Sequence, residues 1–346
     1  MRVPAETGHN RWHPDLEPVA SVRPGEEITL VTRDGLDGQL TRASVHADCA
    51  QLDLGLGHPL TGPVAVDGAG PGDVLEVHVV GYETPDFGVN CVIPGFGLLA
   101  DLFPEPFLVG WELDGTHARS PELPGVSVPA VVHAGVMGVA PSHELMEHQR
   151  AREEAIRAAG GPVAEPMPER AYPLLAASGL RTIPPRETGG NVDIRRLVAG
   201  STLLLPVHVP GALFSAGDVH FAQGDGEVCG TGIEITAEVT LRFGLRKAPR
   251  WVPRFPAYLS PAQPGREYFA TTGIPEHDAM DLTAAARAAL LAMIDWLEAE
   301  HGLSRPAAYC LCSASVDLHL SEVVDVPYPL VSALCPLDVF AGSSSP

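Results

Sequence analysis

GGNVDIRRLVAGSTLLLPVHVPGALFSAGDVHFAQGDGEVCGTGIE, residues 189–234, alternates two kinds of text. Apolar runs such as LLLPVHV have the aliphatic and β-branched composition of strands. Between them, short glycine-containing segments carry Asn191, Asp193, Asp218, His220, Gln223, Asp225, Glu227 and Glu234. Tight turns let short polar side chains converge on one point. Oxygen donors with one imidazole suit a divalent cation. The competing reading is a pair of hairpins with acidic turns.

Outward from this stretch, EVCGTGIEITAEVTLRF is expected as one long strand. Ile233, Ile235, Val239, Leu241 and Phe243 alternate to one face, with Glu234, Thr236 and Glu238 on the other. Upstream lies a proline-rich connector, Pro162–Pro185, and before it residues 142–159 read as a helix capped by Ser142 and ended by Gly160. Its charges fall at helical spacing, so a solvated surface insertion is expected. Further back, EEITLVTRDG (26–35) reads as a strand, with Ile28, Leu30 and Thr32 alternating and a turn at Asp34-Gly35. Val64, Val66 and Val74–Val80 flank the Asp67–Asp73 loop as an expected hairpin. That loop lacks the Lys-Ser/Thr ending and following helix of a phosphate cradle. Asn90–Leu108 reads as a pocket-lining loop or a subunit contact. Downstream, Glu267–Ile274 is a short strand, Asp281–Gly302 frames a capped amphipathic helix, and residues 307–325 read as strand. Four segments follow: an N-terminal β-rich part (1–140), a helical and proline-rich connector (141–186), a central β part with the site (187–250) and a C-terminal α+β part (251–346).

The chain has 346 residues, more than one small core needs. With 36 Gly, 34 Pro, 45 % hydrophobic and 19 % charged residues, it is turn-rich and folded. A net charge of −21 argues against nucleic acid or an anionic membrane surface and favours a small neutral or cationic molecule, or a bound cation. No leader and no membrane-spanning run is read. The scattered cysteines are expected as free thiols of a cytoplasmic protein. Lys247, the only lysine, lies among Arg242, Arg246 and Arg250. That setting argues against hydrolytic mechanisms built on a buried lysine.

If the acids of residues 189–234 converge, their repulsion must be offset by a cation or a shared proton. The metal reading assigns Asp193, His220 and Glu234 as ligands. Asp225 or Glu227 is then the base that takes a proton from a water whose pKa the metal lowers to about 7. Asn191 and Gln223 are the expected substrate contacts. Cys229 is a poor nucleophile beside carboxylates, which raise a thiol's pKa. His9 and His13 are read as packing residues, since Pro14 disfavours helix there. His301 and His319 are read as structural.

Four strings, NRWHPD (10–15), HPLTGPVAVDGAGPGDVLEV (58–77), PPRETGGNVDI (184–194) and residues 203–234, resemble the acetamidase/formamidase family over most of the chain. The resemblance implies a cytoplasmic hydrolase cleaving formamide- or acetamide-type amides to ammonia and a carboxylate. It also implies a mainly β fold with a sandwich-like part, a barrel-like part and a smaller α/β part. A metal, with zinc the expected ion, and a homo-oligomer belong to the same expectation. The family's acidic and histidine positions fall on Asn191, Asp193, His220, Asp225, Glu227 and Glu234. His208 and Ala69 depart from the pattern and bear on substrate preference. Two alternatives stand beside a linear-amide hydrolase. One is a hydrolase of γ-lactams or other small cyclic amides. The other is a non-catalytic β-sandwich module whose acids hold a structural cation, which a closed coordination sphere would mark.

Overall fold

The computed structural model describes residues 1–261 and 267–340. Two large sheets organise them. The first contains, in spatial order, Arg2–Val3, Glu27–Thr32, Ala237–Arg246, Val74–Glu83, Thr202–Pro206, Ala257–Ser260, Tyr268–Gly273, Leu330–Pro336 and Asp317–Glu322. The second runs from Val128–Pro129 through His117–Arg119, Phe107–Leu113, Phe87–Val92, Glu234–Ile235, Phe214–His220 and His133–Val139 to Gly189–Asn191. Leu60–Val66 pairs alongside Phe214–His220 and carries two short N-terminal strands, Gly8–His9 and Ala20–Val22.

Period-two patterning places the core. Ile28 and Leu30 of one strand and Val239, Leu241 and Phe243 of its neighbour are buried on one face. That face meets the second sheet, where Phe243 and Phe214 pack edge-to-face at 5.2 Å between ring centroids. The other face of the first sheet is covered by the Leu282–His301 helix, capped by Asp281 and ended by left-handed Gly302. Phe269 stacks on Trp296 at 3.9 Å. A Cβ on Gly273 would lie 2.3 Å from the Ala289 nitrogen, so only glycine lets the helix sit this close. Strands covered on both faces lose alternation, as Leu330–Pro336 does.

The mainly β character and few helices follow expectation, and among the described residues neither sheet closes into a barrel. The four expected segments interleave, because the first sheet draws strands from residues 1–32, 74–83, 202–206, 237–273 and 317–336. Leu60–Val66 and Val74–Glu83 lie in different sheets and are not a hairpin; the Asp67–Asp73 loop crosses between them. The expected long strand breaks at exposed Thr236, where the chain leaves Glu234–Ile235 in one sheet for Ala237–Arg246 in the other. Residues 307–325 begin as a helix, Arg305–Ser315, before the strand Asp317–Glu322. Pro306 in the first turn is suited to helix initiation and outweighs a short alternating run.

The charge-rich His143–Ala158 helix is also more than a solvated insertion. Met146, Gln149, Arg152 and Ile156 form a buried stripe. Arg152 is ion-paired with Glu187, two residues before the Gly189–Asn191 strand. Lys247 is an exposed lysine paired with Asp73 at 2.6 Å. Among the described residues no helix is long and apolar enough to cross a membrane.

Candidate active site

Strand register alone assembles half of the site. Asp218 and His220 are two residues apart on one strand and so face the same way. Glu234 is the direct cross-strand partner of His220. Asp193 arrives from the turn after Gly189–Asn191, Glu227 from the loop after Gly226, and Glu322 and Asp325 from the end of the Asp317–Glu322 strand. The His220 Nε2 lies 3.1 Å from Glu234 Oε1, 3.5 Å from Asp218 Oδ1 and 3.6 Å from Glu227 Oε1. Its Nδ1 lies 3.9 Å from Asp193 Oδ1. All these groups are buried.

The backbone is bent to make this possible. Asp193, Asp218 and Glu227 have φ of 42°, 54° and 45°. Left-handed backbone costs a non-glycine residue about 1 kcal/mol or more, and such strain gathers at functional sites. Two glycines make room for the carboxylates. A Cβ on Gly35 would lie 2.0 Å from Asp218 Oδ1, and one on Gly135 would lie 2.4 Å from Asp193 Oδ1.

Gln223 fixes the imidazole. Its amide nitrogen donates to Asp193 O at 3.0 Å, which leaves Oε1 facing His220 Nδ1 at 2.7 Å. An amide oxygen only accepts, so Nδ1 carries the proton and Nε2 is left toward the acids. His133 Nε2 lies 2.9 Å from the same oxygen.

Burial pushes the carboxyls of Asp193, Glu227 and Glu322 well above their ordinary range, and neighbouring carboxylates add to this. Burial likewise pushes Glu234 and Asp325 to about 7. Burial works against a charge on His220, but Glu234, Asp218 and Glu227 outweigh it and hold its pKa well above the usual value. Burial opposes the Asp218 charge too, yet His58 and His220 hold that carboxyl below its usual range. Both oxygens of Asp193, Oε2 of Glu234, Oε1 of Glu322 and Oδ1 of Asn191 are buried without a hydrogen-bond partner. Unpaired buried carboxylates are costly, and a cation relieves them. Two overlapping sets could hold a metal ion: Asp193, His220 and Glu227, and Asp218, His220 and Glu234. In each, the donor atoms lie within 4.8 Å of one another.

The site opens into a cavity of about 250 Å³. Asn191, Asp218, Glu227, Glu234, Asp325 and His58 border it from the cluster, and Leu36, Leu54, Ile93, Phe96, Val163 and Ile183 give it a largely apolar wall, which Arg181 and Glu165 also border. Asn191 donates through Nδ2 to Asp325.

Of the residues expected from sequence, Asn191, Asp193, His220, Glu227 and Glu234 are brought together here. Asp225 is not: it is exposed and meets His319 Nδ1 at 3.2 Å, so His319 has a carboxylate partner that its sequence context did not suggest. Gln223 does not border the cavity, and its amide is spent on His220, His133 and backbone oxygens. Cys229 is half-buried, contacts Asn90 and Thr231, and does not border the cavity. His9 packs in the interior against Ser215 and the Arg11 carbonyl. Within Asn90–Leu108, Ile93 and Phe96 line the cavity, while Leu98, Leu99, Leu102 and Phe103 are exposed. The sequence reading missed Glu322, Asp325 and His58. The one signal for the first two is a pair of acids inside the apolar run SEVVDVPYPLV.

The chain as a whole has counterparts among known proteins. The chain is 33 % identical to a formamidase of Methylophilus methylotrophus, over 96 % of this chain and 89 % of that protein. It is 33 % identical to an acetamidase of Mycolicibacterium smegmatis, over 91 % and 87 %. Its structure superposes on the crystal structure of an acetamidase from Bacillus halodurans with a TM-score of 0.80 over the whole of both chains, at 26 % identity. The sequence profile of the Acetamidase/Formamidase family spans residues 1–342, almost end to end and including every acid of the cluster. On this agreement of sequence, fold and length, the chain belongs to the acetamidase/formamidase family.

Proposed function

We propose that this site hydrolyses short aliphatic amides of the formamide and acetamide type, releasing ammonia and the carboxylate. The observation that carries the reading is the excess of buried, unpartnered carboxylate oxygen around one imidazole beside a small cavity. Asp193, His220 and Glu234 are assigned as ligands of a divalent cation, with one carboxylate drawn from each of the two overlapping sets. Zinc is the ion we assign, because imidazole nitrogen and carboxylate oxygen are both zinc donors. Such a cation, when bound, polarises a carbonyl and lowers the pKa of water. Glu227 borders the cavity, takes the proton from the attacking water and returns it to the departing nitrogen. A buried carboxyl with a raised pKa holds that proton between the two steps. Asn191 Oδ1, buried and unpartnered, accepts an N–H of the substrate amide. The apolar lining keeps bulk water from the reacting carbonyl.

Because the acids border a cavity, the arrangement favours a catalyst over a closed structural cation site. The test is ammonia release from formamide and acetamide before and after chelation, with metal content measured on the same sample. Turnover that falls on chelation and returns with one added ion supports the reading. Turnover that survives complete metal removal overturns the cation assignment, and no turnover with metal firmly held favours the binding module. A homo-oligomer is also proposed, on the exposed Leu98, Leu99, Leu102 and Phe103; a monomer by sedimentation would refute it.

A further inference from the structure

Resting on the amide-hydrolase reading above, we propose that the preferred substrates are primary amides with an apolar acyl chain of about four to six carbons. The cavity is too large and too apolar for the hydrogen of formamide or the methyl of acetamide. An apolar cavity of about 150 Å³ accommodates benzene, and this one measures about 250 Å³. Its lining is mostly apolar, although Arg181 and Glu165 border it as well as the acid cluster. The remaining wall comes from separate parts of the chain: Leu36 and Leu54, then Ile93 and Phe96, then Val163 and Ile183. With formamide bound, that wall would face water.

The wall is preformed. Leu36 and Ile93 are buried in a cluster with Leu40, Cys49, Val89 and Cys91, which fixes their side chains. The Phe96 ring rests on Gly230: a Cβ there would lie 2.3 Å from Phe96 Cε1. Gly230 is three residues beyond Glu227, so the aromatic wall and the proposed base are held by one loop. The orientation of the substrate follows. The amide NH2 meets Asn191 Oδ1 and the carboxylates, which accept N–H donors, and a substituent on nitrogen would remove one donor. The acyl chain is therefore the part that points along the wall. In the reaction, the water oxygen bonds to the carbonyl carbon, the C–N bond breaks and the nitrogen leaves as ammonia carrying the transferred proton.

The experiment is kcat/KM for ammonia release from formamide, acetamide, butanamide, hexanamide and octanamide. Each CH2 that the wall buries is worth about fourfold, so the value should climb from acetamide to hexanamide and drop at octanamide. A value that is flat or falls from acetamide onward, with acetamide itself turned over, overturns this proposal and leaves the hydrolase reading intact. No turnover of any of the five removes both. Val163→Phe narrows the cavity from a half-buried position, and the hexanamide to acetamide ratio should fall at least tenfold. An unchanged ratio in a folded Val163→Phe protein would also overturn the proposal. Phe96→Ala should move the optimum to a longer chain, and an unmoved optimum would count against it.

Discussion

Two buried charged regions lie on either side of the Gly189–Asn191 strand, and they are built on opposite principles. Before it, Arg152 donates to both oxygens of Glu187 at 2.7 and 3.3 Å and to the Tyr328 hydroxyl at 2.7 Å. Gln149 donates to the same carboxylate at 2.6 Å, and the guanidinium lies 4.7 Å from the centroid of the Tyr328 ring. Burial works against both charges, yet Arg152 and Gln149 hold Glu187 below its usual pKa. After the strand, Asp193, Asp218, Glu227 and Glu234 surround one imidazole, with several oxygens unpartnered. The first region satisfies its own charges and serves as an anchor. The second leaves them unsatisfied, which is the state of a site waiting for a cation and a substrate.

The sharpest attempt to break this contrast is Glu227→Gln. If Glu227 moves the proton, kcat should fall about 10³-fold or more, while the melting temperature holds or rises because one buried acid is gone. A variant with near-normal kcat would return Glu227 to the status of a strained loop residue. Arg152→Met should act the other way. It strands Glu187 in the interior and should cost about 3–5 kcal/mol in urea unfolding. The double replacement Arg152→Met with Glu187→Leu should recover most of that loss. Equal destabilisation in single and double variants would show that the pair does not anchor the strand.

The acid cluster should also make cation affinity depend on pH. Glu234 and Asp325 are pushed up to about 7 by burial, so below that value protons compete with the ion. Affinity should rise by about tenfold per pH unit for each proton displaced, with Asp193 and His220 adding their own protons to the count. Calorimetric titration in two buffers of different ionisation heat counts those protons. A pH-independent affinity would mean that the carboxylates stay ionised, and that the cluster is better compensated than its unpartnered oxygens suggest. In the metal-free protein at pH 8, Asp325→Asn should stabilise by about 1–2 kcal/mol by removing one of several like charges. The sign is opposite to that of Arg152→Met.

How much of this was legible in the sequence depends on distance along the chain. Ile28, Leu30, Val239 and Leu241 announce their strands because alternation is local. Asp193, His220 and Glu234 sit in one string, and their convergence follows from short turns and one register. Glu322 and Asp325 lie about ninety residues further on, and two acids near a strand end look the same whether they face solvent or a buried cluster. The Asp67–Asp73 loop reads alike whether it turns back within a sheet or crosses to another; only the pairing of Leu60–Val66 with Phe214–His220 decides. The Arg152–Glu187 pair was hidden for a related reason, since a charged helix that buries one ion pair is locally indistinguishable from a solvated one.

The smallest expected effect separates two acids that the sequence could not. Asp225 and Glu227 flank Gly226 in one loop, both beside the cluster in the chain. Gly226 has φ of 95° and Glu227 φ of 45°, a double left-handed turn that aims Glu227 inward and leaves Asp225 at the surface. Asp225 meets His319, which is itself partly exposed, and exposed pairs contribute little. Asp225→Asn should therefore change kcat/KM by less than about twofold and leave the melting temperature nearly unmoved. The pair Asp225→Asn and Glu227→Gln forms a direct control, because both remove one negative charge from the same loop. If the loop acts through its overall charge, the two variants will fall together. If it acts through one carboxylate aimed at the cavity, only Glu227→Gln will.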